Sequence, residues 1–318
     1  MKEGRTINVG VLGAGNFANM QHLPNLKRID NVNVVAICDV DEEKARRTAA
    51  DFEIPTVYTD GHEMIKKESL DAMWSIVPAY TRTDIEVIAA EKGIHLFSEK
   101  PQAMTMDVAC RIDEAVRKGG VISTVCFRER YRPIFMEAKR LLAEKEVVHI
   151  RFQSVSQLPS VPSDGATWSS QLDKGGTSWF DWGPHAVDYS RYMSGLDVVK
   201  AQCFFNHPDR HPIPTSASFN FVMSNGATMT MSFVAASPGK PAEEPYFLLY
   251  YEGGYVGVHN YTFIDMDGER VFEGEDYNPW FELDRRFCEA VRSGDDSELL
   301  NDYHDGLHSL APILAGWE

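Results

Sequence analysis

The chain has few of the features that mark secreted, membrane-spanning or nucleic-acid-binding proteins. Its five cysteines, Cys38, Cys110, Cys126, Cys203 and Cys288, are scattered, with no close pair, which argues against a zinc-binding spacing, a redox motif or a disulfide framework. They read as reduced thiols. No apolar run approaches the roughly 18 residues of a membrane span. Met1-Lys2-Glu3-Gly4-Arg5 leads straight into an apolar segment, so no secretory leader is read and the cytoplasm is the expected location. Positive charge is scarce as well: 31 Lys and Arg against 47 Asp and Glu give a formal charge of −16. Nucleic acid and anionic membrane surfaces are therefore not expected partners. A dinucleotide stays compatible, because N–H groups at a helix N-terminus hold a phosphate whatever the global charge.

What is present is enough apolar residue for two cores: 318 residues, 43% hydrophobic, fit two domains of ordinary size. The expected division is 1–125 and 126–318. In the first part, strand-like runs at 7–12, 32–38, 56–58, 72–77, 95–98 and 121–126 alternate with helical stretches at 41–51, 61–67, 83–92 and 106–118. Asp41 is an expected N-cap, and Pro24 is expected to interrupt the first helix. Apolar strands without alternation, separated by helices, predict a parallel Rossmann-like sheet covered on both faces. After Pro133 come a helix at 134–143, a strand at 147–156, a long loop at 157–176 and a helix at about 183–193. Runs at 199–205, 217–223, 227–234, 247–251 and 255–259 follow, with Asn225-Gly226 and Gly253-Gly254 as hairpin turns, and predict an antiparallel sheet. Helices at 280–292 and 304–315 close an α/β chain whose second domain is α+β.

Gly13-Ala14-Gly15-Asn16-Phe17-Ala18 follows the first strand and opens the first helix, the context a dinucleotide fingerprint requires. Gly13 allows the tight turn, Gly15 lets backbone approach a pyrophosphate, and Ala18 fills the third small position. Asp39 ends the second strand, where a carboxylate accepts the ribose hydroxyls of NAD and repels the 2′-phosphate of NADP. NAD is favoured over NADP; Lys44, Arg46 and Arg47 read as solvated surface charges. At the end of the strand 95–98 stands Glu99-Lys100-Pro101. The carboxyl ends of parallel strands are where ligands bind, and proline restricts the residue before it, so Lys100 is a positioned cation.

A second constellation runs from Gly175-Gly176 through Asp181, Gly183, His185 and Asp188. With a helix starting near Gly183, Asp181 sits at or before the N-cap and His185 one turn on. Asp181, His185 and Asp188 lack a cysteine or second histidine, so no metal site is expected. In this order the glycine turn, Glu99-Lys100-Pro101 and the Asp181-x-Gly183-x-His185-x-x-Asp188 string resemble the Gfo/Idh/MocA oxidoreductase family over nearly the whole chain. Val77-Pro78 and Arg130-Tyr131-Arg132-Pro133 resemble family positions too. The resemblance implies a Rossmann domain joined to a domain with an open, mainly antiparallel sheet, with Lys100, Asp181 and His185 as the catalytic group. It departs after Pro78, where Ala79 and Arg82 replace a common Asn and His, and at Trp168, which Ser169 rather than arginine follows.

The expected reaction is hydride transfer between a secondary alcohol of a sugar or polyol and NAD. His185 would take the hydroxyl proton, Lys100 would hold the substrate oxygen, and Asp181 would orient His185 or bind a neighbouring hydroxyl. Gly13, Ala14, Gly15, Asn16, Phe17, Asp39, Val77, Pro78, Glu99 and Lys100 are the expected cofactor-binding residues. Tyr80, Arg130, Trp168, Asp181 and His185 are the expected substrate ligands, with Trp179 and Tyr131 as further ring platforms and Arg82 and Arg128 as further donors. If Arg82 faces the pocket, an acidic sugar is favoured. Two other readings stand beside this one: an NAD-retaining glycosidase with transient redox, and a non-catalytic dinucleotide- or sugar-sensing regulator. The exposed face of the antiparallel sheet predicts a homodimer or homotetramer.

Overall fold

The computed structural model describes residues 5–157, 171–237, 239 and 244–317. In chain order the strands are β1 (Ile7–Leu12), β2 (Val32–Cys38), β3 (Thr56–Tyr58), β4 (Ala72–Ser75), β5 (His95–Ser98), β6 (Ser123–Val125), β7 (Val147–Val155), β8 (Val198–Asn206), β9 (Ser216–Met223), β10 (Thr228–Val234), β11 (Phe247–Tyr251), β12 (Gly254–His259), β13 (Phe263–Met266) and β14 (Glu269–Glu273). The α-helices are α1 (Leu23–Leu26), α2 (Glu42–Phe52), α3 (Gly61–Lys67), α4 (Ile85–Glu91), α5 (Met106–Gly119), α6 (Pro133–Leu142), α7 (Ser178–Ser194), α8 (Pro279–Ser293) and α9 (Tyr303–Trp317). None of the described helices is long and apolar enough to cross a membrane.

The chain forms two compact units. The first holds Met1–Arg128 and Asn278–Leu307, the second Glu129–Tyr277 and His308–Glu318. The expected division lies between 125 and 126; the first unit runs to Arg128 and also takes in residues 278–307, assigned in sequence to the second domain.

In the first unit six parallel strands run in the order β3-β2-β1-β4-β5-β6, so the chain reverses its direction of propagation beside β1. Trp74 of β4 stacks on Phe97 of β5 with ring centroids 5.2 Å apart, and Phe287 of α8 meets both edge-on. Burying each such ring stabilises by about 1.5–3 kcal/mol. Asp41, the expected cap of α2, accepts from the Lys44 N–H, and Asp60 caps α3 by accepting from the His62 N–H. The first helix departs from expectation. It continues through Pro24 because a π-helical turn, Ala18–His22, precedes it and proline occupies the first turn of α1, where its missing N–H breaks no ladder.

In the second unit an eight-stranded sheet has the order β14-β13-β12-β11-β7-β10-β9-β8. Among the described strands of this sheet, only β7 and β10 pair in parallel. Met229, Met231 and Phe233 of β10 alternate inward beside Ile150 and Phe152 of β7 and Phe219 and Phe221 of β9, and α7 packs on β7 and β10. Strands β13 and β14 went unexpected. Their turn, Asp267-Gly268, has φ of 55° and 90°, the hairpin geometry that an Asp-Gly pair favours.

Helix α7 begins at Ser178, not near Gly183. Thr177 is its N-cap and accepts from the Phe180 N–H, so Asp181 lies inside the first turn. Gly183 continues the helix because α9 passes close by: a Cβ there would fall 2.8 Å from the Ile313 Cδ1.

Candidate active-site residues

At the end of β1, Gly13 has φ of 103°, and a Cβ on it would stand 2.2 Å from the Ile76 carbonyl oxygen. No side chain fits. A Cβ on Gly15 would meet nothing within 4 Å, so the turn is tight on one side and open on the other. The Ala14 N–H donates to Asp39 Oδ2 at 2.8 Å, while Asp39 Oδ1 accepts from the Asp41 N–H at 3.0 Å. This half-buried carboxylate thus sits against the glycine turn with further lone pairs to offer. Phe17 and Met20 beyond the turn and Val40 beside Asp39 keep exposed apolar side chains. An open glycine turn at a helix start, with a carboxylate beside it, fits the pyrophosphate and ribose of a dinucleotide. Lys44 pairs with Asp41, and Arg46 with Glu42 on their own helix.

Because β1, β4 and β5 are parallel neighbours, three segments end at the same edge of the sheet: Gly13-Ala14-Gly15, Val77-Pro78 and Glu99-Lys100-Pro101. After Pro78 a 3-10 turn, Ala79–Thr81, carries Tyr80 partly exposed. Lys100 is half-buried, and its peptide bond to Pro101 is cis.

Glu99 does not reach the surface. Its carboxylate accepts from the Lys100 N–H at 3.0 Å and lies 3.1 Å from His22 Nε2. The other ring nitrogen of His22 lies 2.9 Å from Asp284 Oδ1, and Asp284 also accepts from Trp74 Nε1 and Asn25 Nδ2. A fully buried imidazole with a carboxylate on each nitrogen is an imidazolium. Burial alone would lower its pKa, but the charge and hydrogen bond of Asp284, together with Glu99, hold it well above the usual range. Burial would likewise raise Glu99; the His22 hydrogen bond and charge and the Lys100 charge bring it down to about 2. Cys126 lies in the same cluster, its ligand atom within 4.8 Å of those of His22 and Glu99, and burial with the Glu99 charge pushes its thiol up to about 12.

In the second unit, Asp181 is exposed on α7 and His185, one turn on, is buried. His185 Nδ1 lies 2.6 Å from the Tyr189 hydroxyl, and the two rings stack with centroids 5.3 Å apart. Trp182 flanks the imidazole from 5.2 Å. Asp188 holds Arg130 through two hydrogen bonds of 2.9 and 2.6 Å and accepts from Ser309 Oγ. Arg130 is thus a buried partner of Asp188.

Some expected ligands are core. Trp179, 1% exposed, packs on Phe205 and Trp317, and Tyr131 is buried as well. The Arg82 side chain has no exposed surface, so the expectation that it presents a charge to substrate is corrected: it is bound by buried acceptors on β4, α4 and the end of β5. Arg128 lies over the Trp280 ring at 4.1 Å. Trp168 falls outside the described residues.

A Rossmann unit followed by a unit with a mainly antiparallel sheet defines the class: a two-domain protein built to hold a dinucleotide. Residues 7–127 match the model of the oxidoreductase family with an NAD-binding Rossmann fold, Gfo/Idh/MocA, and residues 135–261 match that family's C-terminal domain. The chain belongs to the Gfo/Idh/MocA family. It is 26% identical over 194 residues to myo-inositol 2-dehydrogenase of Thermotoga maritima, spanning 60% of this chain and 56% of that protein. It is 26% identical over 195 residues to the NAD(+)-dependent scyllo-inositol 2-dehydrogenase of Bacillus subtilis, spanning 61% and 55%. The matches thus span little more than half the length of these curated relatives. The fold is shared with the WlbA dehydrogenase of Bordetella pertussis, solved with NADH and UDP-GlcNAcA, at a TM-score of 0.82 and 20% identity over 98% of this chain and 96% of that one.

Proposed function

We propose that this protein is an NAD-dependent oxidoreductase that moves a hydride between a secondary alcohol of a sugar or polyol and nicotinamide. The observation that carries the reading is the shared sheet edge, where the open glycine turn with Asp39 and the end of β5 with Lys100 belong to one parallel sheet. Asp39 supports NAD over NADP by its charge, as does the engagement of Lys44 and Arg46 with acids of their own helix. The inositol dehydrogenases among its relatives support the substrate class.

When bound, NAD supplies the hydride acceptor. Lys100 holds the substrate oxygen and stabilises the negative charge that grows on it. His185 takes the hydroxyl proton: with Nδ1–H donated to the Tyr189 hydroxyl, Nε2 is the basic edge. Asp181, one turn before His185, binds an adjacent hydroxyl. Arg130 keeps α7 fixed through Asp188.

The test is a screen of the purified protein with NAD and with NADP against inositols, aldoses, amino sugars and uronic acids. Accumulating NADH is the expected result. Aglycone release from glycosides without net NADH would instead establish the glycosidase reading, and stoichiometric NAD binding with no turnover the sensor reading. We also propose a homodimer or homotetramer, formed on the sheet face that exposes Phe204 and Tyr250; a monomer in light scattering at micromolar concentration would contradict it.

A further inference from the structure

Arg82 follows the turn after β4 and folds back beneath the ends of β4 and β5. Its Nη1 donates to Ser98 Oγ at 2.8 Å, to Ser75 Oγ at 3.2 Å and to Glu86 Oε1 at 3.3 Å. Its Nη2 donates to the Glu99 carbonyl. Ser75 and Ser98 face one another across β4 and β5, and Ser75 Oγ donates to Glu86 Oε1 at 2.7 Å. Both charged side chains are buried, at 0% and 1% exposure. The guanidinium therefore spans three elements and ends on the backbone of the residue just before Lys100.

An apolar pair of similar volume commonly gives equal or greater stability than a buried ion pair, so burial of this pair is weak evidence for a stabilising role. What a planar fork adds is direction, since one guanidinium fixes several acceptors at once while an ammonium acts as a point charge. Glu99 is then held from two sides, by Arg82 on its carbonyl and by His22 on its carboxylate.

We propose that Arg82 is a positioning residue for Lys100: by gripping the Glu99 carbonyl it sets the direction in which the Lys100 side chain leaves the sheet edge. The kinetic consequence rests on the reading of Lys100 as the ligand of the substrate oxygen, while the geometric claim does not.

Two variants test it. Arg82→Lys keeps the charge that Glu86 needs but loses the fork. Arg82→Met with Glu86→Leu removes both charges at similar volume and keeps the test open should the single variant fail to fold. Reductive methylation with carbon-13 formaldehyde gives lysines dimethylamine resonances, and the one missing in Lys100→Arg marks Lys100. In a variant that keeps the wild-type melting behaviour and NADH affinity, the Lys100 resonance should move. On the polyol found by the substrate screen, kcat should fall about tenfold or more with KM little changed. An unmoved resonance in a folded variant overturns the proposal, and a moved resonance with unchanged kcat overturns its kinetic consequence. A moved resonance in a protein that oxidises no member of the panel upholds the grip on Lys100 and removes the dehydrogenase reading.

Discussion

The Tyr189 hydroxyl lies 2.6 Å from His185 Nδ1, one turn along α7, with both side chains buried. In the proposed mechanism the phenol accepts the Nδ1 proton, which selects the tautomer in which Nε2 is basic. Tyr189→Phe keeps the ring that stacks on the imidazole and removes the hydroxyl partner of Nδ1, at a stability cost of about 1–3 kcal/mol. The expected outcome in steady-state kinetics is a kcat reduced about tenfold or more, an altered pH profile and unchanged NADH affinity. An unaltered profile would remove Tyr189 from the mechanism.

Lys100 is the more direct test. Lys100→Ala removes the cation proposed to meet the developing negative charge, and turnover should drop by about 100-fold or more. Fluorescence titration should show NADH still bound, because the glycine turn and Asp39 are untouched. Near-normal turnover would reassign Lys100.

Much of the first unit was legible because its signals are local. β1, β2, β3 and β5 occupy the expected residues, and Gly13, Asp39 and Lys100 follow strands whose order alone brings them to one edge. The polar cluster behind Lys100 was not legible. His22 and Asp284 are 262 residues apart, and no short-range pattern pairs them. Arg82, a candidate substrate donor in the sequence, is instead engaged by serines and a glutamate on three other elements, which no short-range pattern pairs with it. The start of α7 was misplaced because Gly183-Pro184 reads as a boundary, although Thr177 carries an ordinary cap three residues before Phe180.

Asp39 discriminates between cofactors by charge. Asp39→Asn retains an oxygen for the Ala14 N–H but removes the negative charge that faces a 2′-phosphate. NADH affinity should weaken about tenfold, equivalent to about 1.4 kcal/mol, while NADPH affinity rises. Paired titrations of the two reduced cofactors check this, and parallel losses for both would show that Asp39 only holds the turn.

The His22 cluster makes stability depend on pH from both sides. His22 is raised above its ordinary 6.5, so its contribution is complete below that value and is lost as pH rises through its folded-state pKa. Glu99 is lowered from 4.5 to about 2, so its contribution is complete above 4.5 and is lost as pH falls toward 2. The cluster therefore stabilises most between about 4.5 and 6.5. His22→Ala leaves Glu99 and Asp284 buried without their shared cation and should cost about 3–5 kcal/mol. His22→Gln supplies a neutral donor of similar reach and should cost less. Thermal melting across the pH range should show wild-type stability declining on the alkaline side of 6.5, with that decline reduced in His22→Gln. An equal alkaline slope in the two proteins would place the titration elsewhere.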